Sequence, residues 1–155
     1  MLRLERGRVR RTEGNELIEF ALVLPLLILL LAGTVEFGRA FYTYNILTKS
    51  VRSAARYLSA SQVSLSGDVS AVHVERARNL ARYGNVAGTG PLLLPNLNAD
   101  NITVSNVAVP GPSNLQFHVT VAADYPYTPI FRFMLSGINF RPKVTMEFVG
   151  VITGA

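Results

Sequence analysis

The chain has 155 residues, of which 49% are hydrophobic and only 16% are charged, and it contains no cysteine. This length suits a single domain of ordinary size, and the apolar fraction excludes an intrinsically disordered chain. The lack of cysteine excludes a disulfide framework, a thiolate zinc site and a cysteine nucleophile. The formal net charge of +5 is typical of a partner of nucleic acid or of an anionic membrane, and the positions of the charges decide between the two.

The N-terminus combines a basic segment with a long apolar stretch. Residues 1–13 hold five arginines and two glutamates, and therefore +3 of the net charge. The sixteen residues from Phe20 to Val35 are uncharged, and the stretch reaches nineteen when it is counted from Leu17. As a helix these nineteen residues would be roughly 28 Å long, close to the ~30 Å hydrocarbon core of a bilayer. Because no polar face interrupts the stretch, it predicts one transmembrane helix with its arginine-rich end in the cytoplasm.

Two other interpretations fit this end of the chain less well. A secretory signal peptide has an apolar run of about 7–15 residues and an A-x-A-like cleavage site. This run is longer, and Leu30 stands where the small partner of Ala32 would be needed. A basic arm for nucleic acid is not needed to explain arginines that flank a membrane span.

Glu19 is an unexpected charge within the apolar stretch. A carboxylate at the centre of a membrane helix costs about 2.5–3.5 kcal/mol on insertion scales, and less near the edge. Glu19 is therefore either an interfacial residue in the first turn, where the helix dipole favours it, or one partner of an ion pair.

The segment from Gly14 to Phe20 resembles the processing site of type IV prepilins, especially of the Flp/Tad branch. In that family a membrane peptidase cuts after the glycine that ends a short basic leader, and a glutamate followed by an aromatic residue lies five residues past the cut. Gly14, Glu19 and Phe20 match these positions. The resemblance implies cleavage between Gly14 and Asn15, and it implies that Glu19 assists processing or pairs with the new amine of a neighbouring subunit.

The chain is similar to the TadE-like pseudopilin family over further stretches. The segments that carry the likeness are Ile18–Pro25, Glu36–Ala40 (EFGRA), Ala54–Tyr57 and Tyr125–Phe131 (YPYTPIF), whereas residues 61–101 show none. The resemblance implies a minor, non-enzymatic pseudopilin of a Tad/Flp (tight adherence) pilus system. It would be a single-pass protein of the bacterial inner membrane with a periplasmic domain. Its partners would be a prepilin peptidase, membrane lipid, a second pseudopilin and the major pilin.

Beyond Glu36 the apolar residues recur every three or four positions, as on one face of a helix: Phe37, Phe41, Tyr44, Leu47, Val51, Ala54 and Leu58. Together with the apolar stretch they predict one helix from about residue 16 to 59, bent locally at Pro25. The amphipathic pattern favours packing of this stripe against the chain's own domain, with the helices of other subunits as the alternative. The residues predicted for assembly through helix packing are Glu19, Pro25, Glu36, Phe37 and Phe41.

The remaining residues predict a small α+β domain. We expect a polar loop at Gln62–Gly67, a second helix over about residues 70–83 capped by Asp68 or Ser70 and ended by Gly84, and a loop over 84–100. The apolar face of that helix comprises Val72, Ala77, Leu80 and Ala81. Three strands of one antiparallel sheet follow at Ile102–Val109, Leu115–Ala123 and Val144–Ile152. The predicted core includes Phe117, Val119, Val121, Met146 and Phe148.

Taken together, the sequence predicts a basic leader at residues 1–14, a transmembrane helix at 15–36, its amphipathic extension at 37–60 and an extracytoplasmic domain at 61–155. It contains no catalytic or phosphate-binding motif. His73 and His118 are interpreted as lone surface histidines, the arginines of the second helix (Arg76, Arg78, Arg82) as a solvated face, and Asp124 as a strand end. We expect no enzymatic activity, cofactor, metal, nucleic acid or small-molecule substrate. The alternative function is that of an uncleaved, membrane-anchored scaffold or interaction module.

Overall fold

The computed structural model describes residues 12–61, 63–64, 68–110, 115–131, 137–149 and 152–153. Its longest element is helix α1, Thr12–Ser59, which runs for 48 residues with Pro25 inside it. The prediction of one continuous helix is confirmed, and the helix begins four residues earlier than expected. The segment 1–11, which holds all five leader arginines, lies outside the described residues.

The two halves of α1 have different surroundings. Every residue from Gly14 to Leu31 is exposed, and the most apolar window of the helix has a mean hydropathy of 2.5 with none of it buried. In the second half Leu47, Val51 and Leu58 are completely buried. Among the described residues, α1 is the one helix long and apolar enough to cross a membrane, and it fits a single-pass anchor.

Helix α2, Ala71–Tyr83, packs on the second half of α1. Its last turn ends as predicted, with the N–H of Gly84 bonded to the Leu80 carbonyl at 3.0 Å and a φ of 76° that suits glycine. Ala77 and Ala81 are buried, but Val72 is 57% exposed, so its assignment to the same face was wrong. At about 100° per residue, Val72 lies roughly 140° around the helix from Ala77.

The central sheet has three antiparallel strands: β2 (Ile102–Pro110), β3 (Leu115–Ala123) and β6 (Lys143–Glu147). Strand β3 lies in the middle, and Val121 is paired with Val104 on one side and with Val144 on the other. The α+β class and the antiparallel pairing are confirmed. The third strand is shorter than the predicted Val144–Ile152, because beyond Glu147 the N–H of Val149 bonds to the Ser59 carbonyl at the end of α1 instead.

Two very short strand pairs were not predicted. Strand β1 (Val63–Ser64) runs parallel to β7 (Ile152–Thr153), where the sequence indicated a polar loop and the end of a strand. Strand β4 (Tyr125–Pro126) is antiparallel to β5 (Asn139–Phe140). Elements of two residues carry no periodicity, so a sequence pattern does not reveal them.

The core lies between the second half of α1, α2 and the sheet. Phe117, Val119 and Val121 are buried as predicted, whereas Met146 and Phe148 pack against the core while remaining half-buried. Their partial exposure follows from their position at or just beyond β6, which is an edge strand of the sheet. Leu94 and Leu97, from the segment expected to be a plain loop, complete the core, and a 3-10 helix, Ala99–Asn101, leads from this loop into β2.

Candidate functional site where the apolar helix meets the domain

The site centres on Glu36, the first charged residue after the apolar stretch. Its side chain is completely buried. One carboxylate oxygen, Oε1, accepts a hydrogen bond from the Tyr127 hydroxyl at 2.6 Å. The other, Oε2, accepts from the backbone N–H groups of Ile130 at 3.1 Å and of Phe131 at 3.4 Å. A buried carboxylate is stable in the charged form when donors surround it in this way.

Tyr127 is held in place by aromatic packing and by its own backbone. Its N–H bonds to the Ile138 carbonyl at 2.9 Å, directly beside the β4–β5 pair. Its ring centroid lies 5.0 Å from that of Phe140, and Phe140 meets Tyr44 of α1 edge-on at 5.7 Å. These contacts fix the hydroxyl at Glu36 and attach the β4–β5 pair to the middle of α1.

Arg39 adds a positive charge one turn along α1 from Glu36. Its guanidinium carbon lies 5.6 Å from the centroid of the Tyr127 ring, within the range of a cation–π contact. Burial of the Tyr127 hydroxyl, together with its hydrogen bond to Glu36, raises its pKa to about 12. Tyr127 is therefore a stable hydrogen-bond donor at neutral pH.

Asp124 organises the other side of the same segment. Its carboxylate accepts hydrogen bonds from Arg141 Nε at 3.0 Å and from Asn139 Nδ2 at 2.7 Å, and its backbone carbonyl accepts from Asn101 Nδ2 at 2.8 Å. The Arg141 hydrogen bond, supported by the one from Asn139, holds the pKa of Asp124 below its ordinary value. The expected role of Asp124 as a strand end is confirmed, since it separates β3 from β4.

The residues of the predicted processing site lie elsewhere on α1. Gly14, Asn15, Glu19 and Phe20 are all exposed in the first turns of the helix. Glu19 and Glu36 are seventeen residues apart, or roughly 25 Å along the helix axis. Within the part of the chain that the structure describes, no hydrogen bond or ion pair reaches the Glu19 carboxylate. The predicted processing site and the attachment of the domain thus lie on separate parts of α1.

The predicted stripe beyond Glu36 is divided. Its upper residues, Leu47 to Leu58, pack on the chain's own domain, which confirms the favoured interpretation for that part. Phe37 and Phe41, by contrast, are 68% and 70% exposed. The stripe predicted that these two side chains would also pack on the domain, and this prediction is wrong. The loop that contains Tyr127 covers the Glu36 side of the helix instead.

The other polar residues singled out in the sequence serve structure. His73 Nδ1 lies 3.1 Å from the Tyr57 hydroxyl, and His118 is half-buried on β3. Arg76 is exposed, and Arg78 pairs with Glu75 at 3.7 Å. Arg82 is not simply solvated: its Nε bonds to the Leu97 carbonyl at 3.2 Å and ties the loop to α2. In the described ranges no group of three or more His, Asp or Glu side chains could hold a metal ion.

The contact between Glu36 and Tyr127 was not foreseen, although both residues were singled out. Each lies in a segment that carries the family resemblance, Glu36 in EFGRA and Tyr127 in YPYTPIF. The sequence feature that could have suggested this contact was the presence of a charged residue at a membrane boundary and of a tyrosine-rich segment in the same chain. Nothing local, however, links two positions 91 residues apart.

No curated protein and no solved structure is significantly similar to the chain. A family model described as TadE-like protein matches residues 14–56, which cover nearly all of α1 from the predicted cleavage site to the last turn. This confirms the resemblance inferred from the sequence, and it associates the chain with other components of the Tad pilus. Residues 14–56 are therefore similar to the TadE-like family, and this similarity suggests involvement in Tad pilus assembly.

Proposed function

We propose that the chain is a minor pseudopilin of a Tad/Flp pilus assembly system and that it acts through assembly rather than catalysis. The observation that carries this proposal is the division of α1 within the family-matching segment. Its second half is anchored in the chain's own domain, while its first half exposes apolar side chains on all sides. Such a surface needs lipid or the helices of other subunits, and in a membrane these associate through close packing and polar contacts. The partners are a second pseudopilin and the major pilin.

Processing by a prepilin peptidase would occur between Gly14 and Asn15. This bond lies in the first turn of α1, where backbone N–H groups have no partner within the helix and where helix ends fray. Gly14 is exposed, and a Cβ at this position would meet no described atom within 4 Å apart from its chain neighbours and the backbone of its own helix. The bond is thus open to a peptidase that must unwind only one turn.

After the cut, Asn15 would carry a new amino group one helical turn from Glu19. The Glu19 carboxylate is exposed in an apolar surface, a position in which a charge is retained when a counter-charge accompanies it. The new amine of a neighbouring subunit would supply that counter-charge. The arginines of residues 1–13 favour a cytoplasmic N-terminus, so the domain would lie in the periplasm, anchored in the inner membrane.

The test is the mass of the mature protein after co-expression with and without a prepilin peptidase. With the peptidase, we expect the loss of residues 1–14 and an N-terminal Asn15. Gly14→Leu should abolish cleavage, whereas Gly38→Leu should not, although both glycines lie in α1 with open space around them. Recovery of Met1 from cells that contain the peptidase would instead favour the alternative, an uncleaved scaffold that uses the same helix as a permanent anchor.

A further inference from the structure

The attachment of the domain at Glu36 has a consequence for its distance from the membrane. Glu36 follows directly on the nineteen-residue stretch that spans the bilayer, so it lies at the bilayer surface. The backbone of Ile130 is bonded to its carboxylate. The loop of residues 128–131 is thereby held at the same level, beside the lipid rather than above it.

Large apolar side chains are exposed at this level. Phe37, Phe41 and Tyr42 are 68%, 70% and 67% exposed, and Ile130 in the loop is 59% exposed. We call these four residues the rim. The rim continues the exposed apolar surface of the span without a break, because Val35 is exposed as well.

The rim surrounds α1 rather than forming one strip along it. Phe37 and Tyr42 lie roughly 140° apart around the helix axis, and the loop of Ile130 attaches at Glu36, roughly 100° from Phe37 in the other direction. One neighbouring helix would cover a single strip, whereas lipid surrounds a helix on every side. Aromatic side chains also favour the membrane–water interface. The arrangement therefore favours lipid over a second protein chain.

We propose that the rim lies in the interfacial layer of the bilayer and that the loop of residues 128–131 holds the domain against the membrane surface. The buried, triply hydrogen-bonded Glu36 makes this possible, because three donors satisfy its own charge beside the hydrocarbon. The inference requires that α1 spans a bilayer. It does not depend on cleavage at Gly14 or on pilus assembly.

The chain contains no tryptophan, so a single introduced tryptophan reports on one position without background. We would compare Ile130→Trp with Leu27→Trp, inside the span, and with Val149→Trp, which is 84% exposed. The N–H of Val149 bonds to the carbonyl of Ser59, roughly 35 Å along α1 from Glu36. The full chain would be placed in phosphatidylcholine–phosphatidylglycerol vesicles of three kinds: without bromine, with bromine on the acyl chains close to the headgroup, and with bromine close to the end of the acyl chains.

For Ile130→Trp we expect lipid brominated close to the headgroup to quench roughly half of the emission, because the side chain would lie about 5–10 Å into the interface. Leu27→Trp, close to the middle of the span, should be quenched by bromine near the end of the acyl chains and Val149→Trp hardly by either brominated lipid. Far-UV circular dichroism should be the same for all three. Quenching of Ile130→Trp by aqueous iodide as strong as that of Val149→Trp would overturn the proposal. Protection from both quenchers would also overturn it, since it would mean that protein covers the rim. Loss of quenching at Leu27→Trp would remove the span on which the proposal rests.

Discussion

The hydroxyl of Tyr127 donates a 2.6 Å hydrogen bond to a carboxylate oxygen of Glu36, 91 residues earlier in the chain. This bond joins the end of the apolar stretch of α1 to the segment that follows β3, the central strand of the sheet. Two backbone N–H groups complete the coordination of the same carboxylate. The domain is therefore attached to α1 at two places: through its core, between Leu47 and Leu58, and through Glu36.

Removing the Tyr127 hydroxyl should destabilise the domain measurably. Tyr127→Phe keeps the ring and its contact with Phe140 but leaves the buried carboxylate with one donor fewer. A hydrogen bond to a charged group contributes about 1.5–3 kcal/mol, so the free energy of unfolding in detergent should fall by about that amount.

The matched control for this variant is Tyr42→Phe, which removes a hydroxyl from a tyrosine that is 67% exposed. A change on the exposed surface is expected to stay within about 0.5 kcal/mol. In the background of Glu36→Gln, Tyr127→Phe should lose most of its effect, because the two residues interact directly. Equal stability of Tyr127→Phe and Tyr42→Phe would show that the hydrogen bond contributes nothing.

The ionisation of Tyr127 gives a pH dependence with a definite sign. Its pKa in the folded protein is about 12, against an ordinary value of 10.0. In the unfolded chain the hydroxyl loses its proton at lower pH than in the folded one, so rising pH favours unfolding. The stabilisation is complete below about pH 10 and is lost as the pH rises to about 12.

Carbon-13 NMR of the tyrosine ring carbons that bear the hydroxyls would measure this pKa in detergent micelles. The resonance that is missing from Tyr127→Phe should titrate near pH 12. The alkaline loss of stability should also be smaller in Tyr127→Phe than in the unchanged chain. Titration of Tyr127 at the ordinary tyrosine pKa of 10.0 would contradict the buried, hydrogen-bonded state of its hydroxyl.

The two halves of α1 should respond differently to the same substitution. Leu47 is completely buried, whereas Leu30 is 67% exposed. Leu47→Ala should destabilise the domain by about 2–5 kcal/mol, because it leaves a cavity in the core. Leu30→Ala should leave the unfolding of the domain in detergent unchanged. Similar losses in both variants would mean that the domain packs on the apolar half as well.

Local patterns predicted the elements of this fold better than the contacts between them. The spacing from Leu47 to Leu58 predicted a buried face correctly, because one long helix and one core explain it. The same spacing at Phe37 and Phe41 was misleading, since periodicity does not show what covers a face. The Glu36–Tyr127 bond connects two segments whose separation in sequence carries no local signal. Strands β1 and β7 were missed because two residues give no alternation.

The prediction of the functional site was limited in a similar way, because sequence patterns identified residues but not their contacts. Gly14, Glu19 and Phe20 were identified from their resemblance to a prepilin processing site, and the family match includes all three. Their predicted roles nevertheless require a peptidase or a neighbouring subunit, and a single chain contains neither. Glu36 was foreseen only as a helix-packing residue, but its carboxylate is occupied within the chain. Any contribution of Glu36 to assembly would therefore act through the position of the domain.

Glu19 provides the most direct test of assembly through the helix. Glu19→Gln should insert into the membrane normally, because it removes a charge from the apolar stretch. It should nevertheless lower the number of pili roughly tenfold or more, since the new amine of the neighbouring subunit would lose its counter-charge and breaking a buried pair costs about 3–5 kcal/mol. Counting pili by electron microscopy, with membrane fractionation of the same cells, separates insertion from assembly. The control is Glu16→Gln, which alters an exposed glutamate one turn earlier and should leave pili unchanged. If Glu19→Gln cells made as many pili as Glu16→Gln cells, Glu19 would be an interfacial residue favoured only by the helix dipole.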